Sequence, residues 1–120
     1  MSQNQSGDIL GIIASFAVPR FANATSLANT AKVQSDLAAL DAAITMYEIE
    51  KGEAPKEIKD LSAYVMDLDN LKPPKGTCHL KDGKTVVVDD TSYSIKPTGT
   101  SPNTQIRAVC EEHTAGDFGK

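Results

Sequence analysis

Tryptophan is absent, and three tyrosines and three phenylalanines are the only other large aromatics, so few rings are available for base stacking or a large aromatic core. Positive charge is not in excess: the net charge is −4, so no global field draws nucleic acid or an acidic membrane. No Gly-rich phosphate loop, paired-carboxylate pattern or nucleophile motif occurs, so no enzyme class is supported and no catalytic residue or cofactor is expected. The two histidines, His79 and His113, have no carboxylate or serine motif beside them and read as solvated surface residues.

Cysteine is also scarce. Cys78 and Cys110 stand with 31 residues (79–109) between them and form no C-x-x-C pair, which argues against a metal site. An even count in a small chain fits one disulfide and an oxidising compartment. A loop of that size is worth about 3–4 kcal/mol in the chain-entropy account. No apolar stretch reaches the roughly 20 residues a membrane span needs. Ile9 to Val18 is about half a span, and polar Met1–Asp8 precedes it abruptly. That junction reads as a non-native polar leader in place of the rest of a membrane helix.

What is present organises as a single domain over 9–120 of the 120 residues. Residues 9–51 read as one long helix, rich in alanine and ended by Lys51-Gly52. At 1.5 Å per residue it spans about 65 Å, more than a domain of this size can hide. Val33, Leu37, Leu40, Ile44 and Tyr47 step by 4, 3, 4 and 3, marking the face that packs on the rest of the chain. Lys32, Gln34, Asp36, Asp41, Glu48 and Glu50 are assigned to the opposite, solvated face. Gly11 and Pro19 weaken the start, so a kink or local melting is expected around Ala14–Pro19.

Residues 52–76 read as a connector with a short helix over Lys56–Asp67, broken by Lys72-Pro-Pro-Lys-Gly76. From Thr77 the pattern becomes extended. Asp82-Gly83 predicts a two-residue hairpin turn, and Thr85–Val88, Ser92–Lys96 and Gln105–Cys110 predict strands. Pro97–Thr104 reads as a loop, and residues 111–120 as a polar, mobile tail. The expected fold class is α+β, a long N-terminal helix on a small antiparallel sheet of three to four strands. Val86, Val88, Tyr93, Ile95 and Ile106 are its expected helix contacts.

This order, opened by Ile9-Leu-Gly-Ile-Ile-Ala-Ser-Phe-Ala-Val-Pro-Arg-Phe21, resembles the type IV pilin and pseudopilin family. Gly11, Ala14, Ala17, Pro19 and Phe21 match the family's helix motif, and the stretch from Asp36 to Tyr47, with Gly52, Pro55 and Leu61, resembles its helix end and connector. The family's processing site, methylated first residue and early acidic residue have no counterpart, so the chain as written is not expected to build a native filament. The resemblance implies a pilus subunit that sits in the inner membrane, meets the pilus assembly machinery, and then polymerises with other pilin subunits at the cell surface. With its polar start this chain itself is expected to be soluble. Ile9, Leu10, Gly11, Ile12, Ile13, Phe16, Val18, Pro19 and Phe21 are the implied membrane and filament contacts. A pseudopilin of a type II secretion system is the alternative within the family, and a soluble binding module with a helical arm the alternative outside it. The cysteine pair and the lack of calcium-type acidic spacing favour the pilus subunit. Asp67-Leu-Asp-Asn70 offers oxygen ligands but lacks the spacing of a known calcium loop. Lys72, Lys75, Lys81 and Lys84 could touch DNA phosphates, but read more simply as a solvated turn region.

The helical stripe makes a direct prediction. Leu40→Ala should cost about 2–5 kcal/mol in a urea titration, as for a full core position. A loss under about 0.5 kcal/mol, typical of a surface site, would mean that the stripe faces outward.

Overall fold

The computed structural model describes residues 6–119, with side chains from Ala24 onward. Helix α1 (Ser6–Lys51) is its long axis: 46 residues, within an envelope of 72 × 30 × 22 Å. It runs unbroken through Gly11 and Pro19, without the local melting expected over Ala14–Pro19. A proline deletes one helical hydrogen bond, and the alanine-rich turns on either side keep theirs. Gly52 ends the helix with φ 75° while its N–H donates to the Glu48 carbonyl at 2.9 Å, a left-handed cap that a side chain would strain.

The connector does not form the expected α-helix. It makes two 3-10 turns, Ile58–Leu61 and Leu68–Asn70. Asp60 closes the first by accepting from Lys56 and Glu57 N–H at 2.9 and 3.2 Å, and Asp67, at φ 56°, forces a bend before the second. Of the two turns only Leu61 is buried, with Pro55 and Pro73 buried on either side of them, so a full α-helical face is not needed.

The strands are β1 (Gly76–His79), β2 (Thr85–Val88), β3 (Ser94–Thr98) and β4 (Gln105–Val109). The fold is α+β, but the expected single sheet is two separate antiparallel hairpins, β1–β2 and β3–β4. The cause lies in the link between β2 and β3. Its Asp89 and Asp90 N–H groups donate to the Glu111 carboxylate at 2.9 and 2.8 Å, and Glu111 N–H returns a bond to Asp90 at 2.9 Å. Backbone donors committed to a carboxylate do not extend a ladder.

The first turn is also longer than Asp-Gly implies. Leu80 N–H donates to the Lys84 carbonyl at 2.8 Å, leaving the three residues Lys81–Gly83 as the loop, with Gly83 at φ 91°. Pro97, placed in a loop by sequence, lies within β3 opposite Ile106. Ala108 N–H points away from β3 to Asp41, so Ile95–Ala108 is a non-hydrogen-bonded pair. The alternation makes Pro97–Ile106 another, a position at which a missing N–H costs nothing.

Val33, Leu37, Leu40 and Ile44 are buried, and Tyr47 packs half-buried at the edge of the same cluster. Cys78, Val88, Tyr93, Ala108 and Cys110 are buried opposite them, with Val86, Ile95 and Ile106 at the margin. The C-terminal segment corrects the expectation of a mobile tail. Phe118 is fully buried, its carbonyl accepts from Gln34 Nε2 at 2.9 Å, and Gly119 N–H donates to the His79 carbonyl at 3.0 Å. A lone phenylalanine among polar residues anchors the whole segment by burying its ring.

Phe118→Ala should therefore destabilise the fold by about 3–5 kcal/mol, measured by urea denaturation. A midpoint equal to that of the parent chain would restore the mobile-tail reading.

Candidate assembly surface

One face of α1 is held by the rest of the chain, and polar side chains fix its position. Asn29 Nδ2 donates to the Thr77 carbonyl at 3.3 Å, and the Thr30 hydroxyl accepts from His79 N–H at 2.8 Å. Asp41 accepts from Arg107 Nη2 at 2.8 Å and from Ala108 N–H at 2.9 Å. The buried Asp36 carboxylate accepts from the Tyr93 hydroxyl at 2.6 Å and from Lys32. Burial, and then the Asp36 carboxylate, push the Tyr93 phenol well above its ordinary range, so it stays a donor. Asp36, Asp41 and Gln34 were assigned to solvent by pattern; they sit instead beside the apolar stripe and face the hairpins and the C-terminal segment. Their signal was spacing: Asp36 lies three residues from Val33 and four from Leu40, Asp41 four from Leu37 and three from Ile44, and Gln34 three from Leu37, the spacing of neighbours on a helix surface.

The opposite face of α1 is free. Ala28, Ala31, Ser35, Ala38, Ala42, Met46 and Ile49 step by three and four residues and are all exposed, Ile49 at 73%. None carries a charge. With Ala24 at its start the stripe runs about 38 Å along the helix at 1.5 Å per residue. Small side chains on such a face let a second helix approach closely. The alanines count toward helix propensity in a sequence reading, but their common exposure only becomes visible once the buried face is fixed. The expected contacts Ile9, Leu10, Gly11, Ile12, Ile13, Phe16, Val18, Pro19 and Phe21 lie on the N-terminal part of α1, their side chains outside the described residues.

The other candidates do not converge. Lys72, Lys75, Lys81 and Lys84 are exposed, and none makes an ion pair among the described residues. Asp67–Asn70 forms a single turn, closed by Asn70 N–H on the Asp67 carbonyl at 2.9 Å. Among the described residues no group of three or more His, Cys, Asp or Glu could hold a metal ion. His113 is half-buried, stacked edge-on to Phe118 at 5.9 Å and 3.5 Å from Asp117, while the His79 backbone ties β1 to Thr30 and Gly119. An open cleft of about 430 Å³ separates α1 from β4, with the Asp41–Arg107 pair in its wall.

Cys78 and Cys110 are both fully buried in the common core, and both are free thiols in this structure, without the expected cross-link. Burial, followed by the nearby Asp90 and Glu111 carboxylates and Cys78 itself, pushes the Cys110 thiol up to about 12. Burial raises Cys78 as well, against an opposing pull from the Thr30 hydroxyl.

No family model, curated protein or solved structure matches the chain. Among the described residues no helix is long and apolar enough to cross a membrane.

The Glu111 clasp gives this surface's scaffold an acid limit. The Asp89 and Asp90 N–H groups favour the ionised carboxylate and hold Glu111 below its ordinary 4.5. A depressed folded value contributes stability above the unfolded value and loses it as pH falls through the folded one. Glu111→Gln should lower the urea midpoint at pH 7, and the gap to the parent should shrink as pH drops below 4.5. A gap that stays constant down to pH 3 would assign the clasp no titrating role.

Proposed function

We propose that this chain is a structural subunit of a type IV pilin-like filament, polymerising through its N-terminal helix and carrying out no catalysis. The observation that supports this most is the exposed, charge-free stripe from Ala28 to Ile49, on a helix whose other face is already occupied. A solvated helix normally places charge on its outer face. Here the charges flank the buried side, and alanine, methionine and isoleucine meet water. Neighbouring copies would cover that stripe and, further along the same helix, the apolar run from Ile9 to Phe21. At about 25 cal/mol per Å², such burial is the natural driving force. The hairpins would then form the outer surface of the filament, and the membrane would shelter the apolar run before assembly.

The test is assembly in cells that carry pilus machinery, with the family's apolar, processed start replacing Met1–Asp8. Surface filaments visible by electron microscopy are the expected outcome. Ala38→Glu should abolish them while changing the isolated chain's stability by no more than about 0.5 kcal/mol, as at other exposed sites. Filaments indifferent to a charge at Ala38 would remove the stripe from the interface, and a chain that stays monomeric would overturn the proposal.

A further inference from the structure

The β1–β2 hairpin has one covered edge and one bare edge. On β1 the backbone of Thr77 and His79 points outward, and Asn29, Thr30 and Gly119 take its hydrogen bonds. Thr77–Val87 and His79–Thr85 are therefore non-hydrogen-bonded pairs, and the Thr85 and Val87 backbone points outward from β2. No N–H or C=O of Thr85 or Val87 has a hydrogen-bond partner among the described residues. Their side chains are exposed as well, Val87 at 63%. A bare edge of this kind is a template for another strand. Its two ends carry opposite charge: Lys81 and Lys84 precede it, and Asp89 and Asp90 follow it. Neither lysine makes an ion pair among the described residues. We propose that β2 is the docking edge for β2 of a second copy of this chain, paired antiparallel about a two-fold axis at Val86.

The free backbone groups set the register. With Val86 against Val86 of the second copy, Thr85 of each chain lies opposite Val87 of the other, and each such pair exchanges two N–H···O bonds. An axis at Val87 would call on the Asp89 N–H, which Glu111 already holds at 2.9 Å. An axis at Thr85 would call on the Gly83 N–H, which the Leu80 carbonyl holds at 3.1 Å. The antiparallel direction brings Lys81 and Lys84 of each copy beside Asp89 and Asp90 of the other, whereas a parallel one would align like charges. The exposed Val87 side chain is covered by Thr85 across the axis. The pairing also closes on itself: the outer edges of the joined sheet are the two β1 strands, each already covered, so a third copy finds no edge. A few residues a side bury less than the about 1,000 Å² of a stable interface, so the dimer belongs to high concentration. It uses the hairpin and not the exposed face of α1, and it stands whether or not the chain builds filaments.

Sedimentation equilibrium of the full chain, from about 10 μM to about 1 mM, should show a monomer–dimer equilibrium that weakens with added salt. Over the same range the Thr85 and Val87 amides should gain protection from hydrogen exchange. Those of Val86 and Val88, already paired with β1, should not change. Val87→Pro removes an outward donor at a non-hydrogen-bonded position, as Pro97 does in β3, and should abolish the dimer. Lys84→Asp should weaken dimerisation about tenfold, and adding Asp89→Lys should restore it, a rescue that lost folding would not give. Ala38→Glu, on the exposed face of α1, should leave the dimer unchanged. A chain that stays monomeric up to about 1 mM would overturn the proposal. So would a dimer indifferent to Val87→Pro, one that the exchanged charges do not restore, or one lost on Ala38→Glu.

Discussion

A single helix face must hold two hairpins that do not hold each other. β1–β2 and β3–β4 share no ladder, and a lone two-stranded hairpin is marginal in water. What unites them is α1. Val33, Leu37, Leu40 and Ile44 supply the apolar contact, while Asn29, Thr30, Asp36 and Asp41 fix where each hairpin sits. Non-directional burial alone would let the hairpins slide along the helix; hydrogen bonds to named backbone groups set the register. The Glu111 clasp then joins the hairpins at the end remote from their turns.

This division of labour explains which parts of the fold were legible in advance. The Val33–Tyr47 stripe stood out because apolar residues recur at helical spacing among polar ones. The strands stood out by their β-branched content. Pairing between them did not, because it depends on a link whose two aspartates bind a glutamate 21 and 22 residues away. Polar pins such as Asp41 are equally silent, since an aspartate aimed at a backbone N–H looks in sequence like one aimed at water. Phe118 was overlooked for a related reason: one aromatic between glycines and acids shows no period, and its anchoring role comes from tertiary contact alone.

The candidate surface divides in the same way. The Ile9–Phe21 run is conspicuous by composition. The continuation of an uncharged face to Ile49 is not, because alanine serves helix propensity and close packing alike. Only after Asp36, Asp41 and Gln34 are turned inward does the outward face prove free of charge.

Pro97 carries a consequence for the directions in which such a molecule can grow. Sheet edges invite further strands, and uncontrolled pairing competes with any ordered assembly. The outer edge of β1 is taken up by Asn29, Thr30 and Gly119, and that of β4 gives its Ala108 donor to Asp41. On β3 the outward positions are Ile95 and Pro97, and the proline removes one of their two donors, leaving an incoming strand only that of Ile95. Only β2 keeps an open edge, four residues long. Lateral stacking of hairpins into a fibre is thus blocked or weakened at three edges out of four, which steers the chain at high concentration away from amyloid-like order.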